Sequence, residues 1–397
     1  MVIKCITNGV FYVGVDDLGL DIFESLWPLP HGVSYNSYLI IGREKTALID
    51  TVDARCSQEF LDKVTEALRD RELDYIVLNH MEQDHSGSLP RVLEAYPDAT
   101  VVGTPMTTNM VKSFYGVTCR SMAVKDGDTI NLGGKTLKFI HAPWLHWPET
   151  MVTYLLEDRI LFTCDAFGSF GALRGKLFDE EIDMSLYLDE AKRYFSNIVA
   201  PVADYVLKAI EKIENYGLEI NVLAPSHGPL YRRPHEIIKS YADWSKPVLK
   251  PKVVIAYSSM YGNVKKMAQE IAKGVDSKGV LPILIDLART HISYVLKEVI
   301  DAPSIAVGSP TYDNTVHPHV KMFIEYLTIK RIKQRNMGVF VAYAWGSNIH
   351  KRIVEMLMAQ GNDIVEPVIA TRASPTEETL KQCRELGEKL AEKSAKF

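Results

Sequence analysis

The chain has 397 residues, 47% apolar and 24% charged, a globular composition that excludes a disordered or collagen-like chain and has length enough for two or three domains. Its 45 basic and 50 acidic side chains leave a formal net charge of -5, so charge as a whole attracts neither nucleic acid nor an anionic membrane. No apolar run approaches the roughly 20 residues that span a bilayer, and the opening MVIKCITNGVFYVGV lacks the order of a signal peptide; a cytoplasmic protein is expected. Cys5, Cys56, Cys119, Cys164 and Cys383 are an odd set without a Cys-x-x-Cys pair, which reads as reduced, buried thiols rather than disulfides or a thiolate metal site.

In chain order, VFYVGVDD, YNSYLIIG and KTALIDT read as early strands, followed by a helix around Gln58 to Arg69 and the strand LDYIVLNH. ATVVGT and KTLKFIHA come next, then TMVTYLLEDRILFTCD, a hairpin turning at EDR. A long amphipathic pattern from about Leu186 to Asn215 leads into INVLAPSH, which stops at the turn formers Pro225, Gly228 and Pro229. Clustered strands with helices between them predict sheets covered by helices. Ser245 to Lys252, with two prolines and three lysines, reads as a linker. Beyond it, VVIAYSS, LPILIDL, SIAVGSP, MGVFVAYAWGS and DIVEPVIA each precede a helical stretch, the signature of a doubly wound parallel sheet of five strands. The expected domains are residues 1–249 and 250–397.

Four candidate metal ligands, His80, Glu82, Asp84 and His85, follow the strand LDYIVLN and precede a helix expected from about Ser86. Partners stand at other strand ends: His146 in APWLHWPET, Asp165 closing RILFTCD and His227 in LAPSHGP. Alone, His146 between two tryptophans reads as a core histidine, Asp165 as a turn cap and His227 as a loop brace. With the first cluster, they read as ligands. Imidazoles and carboxylates without thiolate suit iron, manganese or zinc, and seven ligands exceed one ion. Shared between two ions, they give each a mixed shell, with one carboxylate bridging and positions open for substrate. His31 and His141 read as structural, and His317 and His319 as residues of a solvated loop.

In the second half, Ser258, Ser259, Met260, Tyr261, Gly262 and Asn263 join the first strand to a helix. Hydroxyls and backbone N–H groups there make a phosphate cradle without lysine. The pattern is neither Walker nor Gly-x-Gly-x-x-Gly, which disfavours a nucleoside triphosphate or dinucleotide. Ser309, Pro310, Thr311, Tyr312, Asp313 and Asn314 follow the third strand, and Ala344, Trp345, Gly346 and Ser347 the fourth. Ligands of open α/β sheets sit at such strand ends, and aromatic residues on two loops can sandwich a flat ring. The three loops read as a flavin mononucleotide (FMN) site.

With both residue sets in hand, the chain resembles the flavodiiron proteins over essentially its whole length. That resemblance implies a metallo-β-lactamase-like αββα sandwich joined to a flavodoxin-like domain. The family pattern His-x-Glu-x-Asp-His is His80, Glu82, Asp84 and His85 here. The resemblance implies that His80, Glu82 and His146 hold one iron, that Asp84, His85 and His227 hold the other, and that Asp165 bridges them. Hydrolytic relatives usually place His where Glu82 stands, so Glu82 points to iron and redox chemistry. One departure is Val264, where many flavodoxin-like loops place Thr, removing a hydroxyl from the phosphate cradle. The implied activity is reduction of dioxygen to water, nitric oxide to nitrous oxide, or both. Since no Cys-rich, rubredoxin-like stretch precedes Phe397, electrons are expected from a separate donor: rubredoxin, a reduced deazaflavin coenzyme or a flavoprotein. A head-to-tail homodimer, or a dimer of such dimers, is implied as well. The rival readings are a dinuclear zinc hydrolase with an attached flavodoxin domain and a non-enzymatic electron carrier.

Overall fold

The computed structural model describes residues 3–246, 248–346 and 348–396, which form two compact units, Met1–Ser245 and Lys246–Phe397. The first unit is built on two sheets. One orders its strands 4–7, 10–12, 38–41, 46–49, 75–77, 100–103 and 120–123, antiparallel at first and parallel from 46–49 onward. The other orders 129–131, 136–141, 151–155, 160–164 and 222–225, antiparallel except for its last pair.

Alternation along the strands dictates how these sheets stack. Ile40, Ile49, Val77 and Val102 from the first sheet share one core with Phe139, Met151, Phe162 and Ala224 from the second. Their neighbours Leu39, Leu48, Ile76, Leu161 and Leu223 point the opposite way and are buried too. Each sheet is therefore covered on both faces, the four-layer arrangement expected. Ser57–Leu68 packs on strand Tyr38–Ile41, and Pro105–Tyr115 on Thr100–Gly103. The hairpin forms as read, Leu155 opposite Ile160.

The long pattern from Leu186 is not one helix. It divides into Met184–Tyr194, a widened π turn at Phe195–Val199, a 3-10 turn at Ala200–Val202 and Ala203–Asn215. Pro201 cannot donate into a continuing helix, and the added π residue rotates the apolar stripe, which an amphipathic pattern does not reveal. Helix Pro105–Tyr115 escaped the sequence reading because its buried side is narrow, holding Thr107 and Val111 alone.

The second unit carries strands in the order 281–286, 252–257, 304–312, 336–343 and then 363–364, all parallel. The fifth position is shared: DIVEPVIA breaks into Asp363–Ile364 and Ile369–Arg372, both pairing with Asn336–Tyr343, around Pro367, which has no N–H to give a ladder. Helices Asn263–Asp276 and Glu377–Ser394 cover one face, over Val253, Ile255, Ala306 and Phe340. Gly274 and Gly387 lie where these helices cross; a Cβ on either would collide with the other helix's backbone. Among the described residues, no helix is long and apolar enough to cross a membrane.

Candidate metal centre and flavin loops

The seven ligand candidates converge. All leave their strands at carboxyl ends along one rim of the sandwich: His80 to His85 after Tyr75–Val77, His146 after Thr136–His141, Asp165 after Ile160–Cys164 and His227 after Val222–Pro225. The helical turn begins at Gln83, three residues earlier than expected, because the Glu82 carbonyl already accepts from the His85 and Ser86 amides, each at 3.0 Å. That turn sets Asp84 and His85 side by side. Thr51 fastens it from below through the His85 carbonyl, and Tyr115 from the side through the Ser86 hydroxyl.

Asp165 divides the cluster. Its Oδ2 lies 3.4 Å from His80 Nε2 and 3.1 Å from His146 Nε2, while Glu82 Oε2 is 2.9 Å from the latter. Its Oδ1 lies 3.0 Å from His85 Nε2 and 3.3 Å from His227 Nε2, which in turn is 3.1 Å from Asp84 Oδ2. Two sets of donor atoms result, each within 4.8 Å: His80, Glu82, His146 and Asp165, and Asp84, His85 and His227. Both Asp84 oxygens, Asp165 Oδ2 and His227 Nε2 are buried with no partner in hydrogen-bond geometry among the described residues. Burying such atoms is costly unless they are satisfied, and metal coordination satisfies all of them at once.

The imidazoles are aimed. His227 Nδ1 donates to the Ser34 carbonyl at 2.8 Å, and His80 Nδ1 to Glu149 Oε1 at 2.7 Å, which turns each Nε2 toward the cluster. The field there is strongly negative. Burial disfavours the charged ring at His146 and His227, but Asp165 with Glu82, and Asp165 with Asp84, overcome it and raise the pKa values to about 9 and about 10. Burial likewise opposes charge on Glu82, but His146 and His80 hold its pKa well below the usual carboxylate range. A pocket with this balance favours added positive charge. Cys164 also comes near His85 and Asp165, but burial and then Asp165 push its pKa well above 9, so it stays a thiol.

Several functional side chains escaped the sequence reading. Tyr194 donates its hydroxyl to Asp165 Oδ1 at 2.7 Å, although in sequence it is one more apolar position of an amphipathic helix. Glu149 sits three residues after His146, a spacing with no signature. Glu24 lines a cavity of about 340 Å³ with Glu82 and Asp84, and burial and then Glu82 raise its pKa to about 7 against the Trp27 indole N–H. Its positive φ of 50° belongs to a turn that the apolar segment around it hides. His31 and His141 stand outside both donor sets; His141 Nε2 meets the Val124 carbonyl at 3.1 Å. In the second unit, His317 and His319 stack edge-on, 5.3 Å between ring centres.

The flavin loops gather at the carboxyl ends of their parallel strands. A cavity of about 210 Å³ is lined by Ser259, Met260, Tyr261, Asn263, Pro310, Thr311, Ala344 and Trp345, with Val264, Tyr343 and Ala373 in its wall. Gly262, at φ 89°, turns the chain into helix Asn263–Asp276, and Ser259 Oγ accepts from the Gly262 and Lys265 amides, both at 3.2 Å. Ser258 is fully buried, its Oγ without a partner among the described residues. Ser309 is buried and receives the His317 amide at 3.1 Å. Asp313 and Asn314 both take positive φ, and Thr311 Oγ1 donates to the Gly346 carbonyl at 3.3 Å. Tyr312 stands exposed. Ser347 lies outside the described residues. A helix N-terminus, a buried hydroxyl without a partner among the described residues and exposed rings suit a phosphorylated flat ring.

A metallo-β-lactamase-like unit carrying a two-centre donor set, in one chain with a flavodoxin-like unit, defines a narrow class of redox proteins. The family described as ODP family beta lactamase matches residues 33–228, and the flavodoxin family matches residues 255–387. A nitric oxide reductase of Moorella thermoacetica is 36% identical over 98% of each chain, and a coenzyme F420H(2) oxidase of Methanothermobacter marburgensis is 34% identical over 98% of each. Among solved structures, the rubredoxin oxygen:oxidoreductase of Desulfovibrio gigas superposes with a TM-score of 0.95 at 28% identity, covering 100% of this chain and 99% of that one. The flavodiiron protein of Giardia intestinalis gives 0.95 at 30% identity, covering 100% and 97%. The chain belongs to the flavodiiron proteins, and it is an oxidoreductase.

Proposed function

We propose that this chain reduces dioxygen to water, nitric oxide to nitrous oxide, or both, in the cytoplasm, taking electrons from an external donor. Its cofactors are FMN and two non-heme irons. The observation that carries the reading is the two-sided Asp165, whose oxygens each face a separate set of imidazole and carboxylate donors. In this reading residues 1–249 hold the irons, His80, Glu82 and His146 on one side and Asp84, His85 and His227 on the other, and residues 250–397 hold the flavin. When bound, the irons supply paired electrons and open positions for a diatomic substrate, and the flavin supplies their replenishment.

The protein's own residues supply the rest. Tyr194 fixes the rotation of Asp165 by donating to one oxygen, so both donor sets keep their spacing. Phe23 and Tyr35 flank the His227 ring, and Trp147 flanks His80, walls that limit water beside the donors. Glu24, on the cavity shared with Glu82, is a carboxyl whose ionisation burial opposes. Both reductions consume protons, so a carboxyl poised there serves as a source. Five cysteines without a disulfide among them support a reducing compartment. The separate donor belongs to the rubredoxin, reduced deazaflavin or flavoprotein class. The head-to-tail homodimer, or dimer of dimers, is part of the same reading.

The test is anaerobic reduction of protein loaded with two irons and one FMN per chain, followed by separate additions of each gas under an electrode. Rapid consumption of at least one gas is expected. Loaded, reduced protein that consumes neither would overturn the reading.

A further inference from the structure

The two donor sets differ in what stands behind their imidazoles. His80 Nδ1 donates to a carboxylate, Glu149 Oε1, at 2.7 Å. His227 Nδ1 donates to a neutral carbonyl, that of Ser34, at 2.8 Å. His85 Nδ1 is buried and has no hydrogen-bond partner among the described residues. One set is thus hydrogen-bonded, through His80, to a full negative charge and the other, through His227, to a peptide dipole; the buried Asp50 carboxylate lies near His85 without hydrogen-bonding its ring among the described residues.

Glu149 is held for this task. Its side chain is fully buried, and Oε1 also accepts the Met81 amide at 2.9 Å, so it ties the loop bearing His146 to the loop bearing His80. Thr104 Oγ1 donates to its backbone carbonyl at 3.2 Å. Oε2, however, has no hydrogen-bond partner among the described residues. A buried carboxylate with one oxygen unpartnered calls for positive charge nearby, and a cation on the far nitrogen of the His80 ring supplies it through the imidazole. Hydrogen bonding to a carboxylate also makes the ring a more basic ligand.

We infer that Glu149 makes the two metal positions unequal: acting through His80, it tightens and electron-enriches the position served by His80, Glu82 and His146, and leaves the position of Asp84, His85 and His227 the more labile. Glu149 is a positioning residue, since it touches no ligand atom that faces the cluster. The inference rests on the diiron reading above.

The test uses full-length protein loaded with iron-57 and FMN, comparing wild type with Glu149→Gln and Glu149→Ala. Wild type should release its irons to a chelator in two phases and show two resolved Mössbauer doublets. In Glu149→Ala the slow phase should quicken by about 10- to 100-fold while the fast phase is unchanged. Glu149→Gln keeps an acceptor oxygen for His80 and Met81 and removes the charge, so it should keep both irons and shift one doublet alone, an effect that a merely structural role would not produce. A circular dichroism spectrum unchanged from wild type, to which both units contribute, reports that each variant is folded. If wild type holds two irons and the variants leave release phases and both doublets unchanged, or alter both positions equally, the inference is overturned. If wild type holds no iron pair, the diiron reading itself fails.

Discussion

The metal pocket and the flavin loops are both cut from strand ends, yet they are organised in opposite ways. In the pocket the donors are side chains, and three of them are braced by another group: Asp165 by Tyr194, His80 by Glu149, His227 by the Ser34 carbonyl. At the proposed flavin loops the groups on offer are a helix N-terminus and open rings, with Tyr261 88% and Trp345 63% exposed. Preorganisation thus costs the pocket buried charge, offset only when cations bind, whereas the loops leave their apolar surface to be covered by the ligand. Damage to the pocket should be steep and confined; damage to the loops should be shallow and graded.

The steepest break is Asp165→Ala. It removes one oxygen from each donor set, so both positions should lose metal together, with gas consumption falling by at least about 100-fold. FMN content should stay unchanged, since Asp165 and the proposed flavin loops belong to separate compact units. Iron analysis beside flavin absorbance checks both halves; full iron in this variant would refute the bridging assignment.

Tyr194→Phe is expected to do less. It deletes one charge-assisted hydrogen bond, about 1.5 to 3 kcal/mol, but leaves every ligand in place. Iron release should quicken by about 10-fold, read by timed dialysis against chelator. Trp345→Ala acts on the other region, removing one exposed wall of the flavin cavity. An aromatic contact is worth about 0.5 to 1.5 kcal/mol, so FMN should bind several-fold more weakly in a fluorescence titration, with iron content untouched.

The same contrast explains what the sequence disclosed. The ligand set was legible because six residues, His80 to His85, concentrate four side chains with a shared chemistry, and because each further ligand closes a strand. Sheets covered by helices were legible from clustered strands with helices between them, the four-layer sandwich only through the family resemblance, and the flavodoxin-like sheet from regular strand and helix spacing. Glu149, Tyr194 and Glu24 were not legible, because each serves through a tertiary hydrogen bond or a turn that no local pattern marks. The break at Phe195–Val199 was hidden for a related reason: an extra residue in a helix leaves the apolar composition intact and changes only the phase.

The smallest effect lies away from both sites and sharpens the comparison between buried and exposed carboxylates. Asp126 accepts from the His141 amide at 2.8 Å, from Lys212 Nζ at 2.7 Å and from the Tyr216 hydroxyl at 3.1 Å, joining the strand that leads toward His146 to helix Ala203–Asn215. Burial opposes its charge, but Lys212 and the His141 amide outweigh that and lower its pKa. A carboxyl whose folded pKa is depressed stabilises the fold above its unfolded value, near 3.9, and loses that stability as pH falls through the lower folded value. Because its side chain is 38% exposed, screening by water and salt reduces the contribution to less than about 1 kcal/mol. Asp126→Asn should therefore lower the stability of the first unit slightly at neutral pH. The gap should shrink at high salt and close in acid below the folded pKa, in denaturant titrations at matched pH. A gap that persists undiminished in strong acid would mean that geometry, not charge, is what Asp126 contributes.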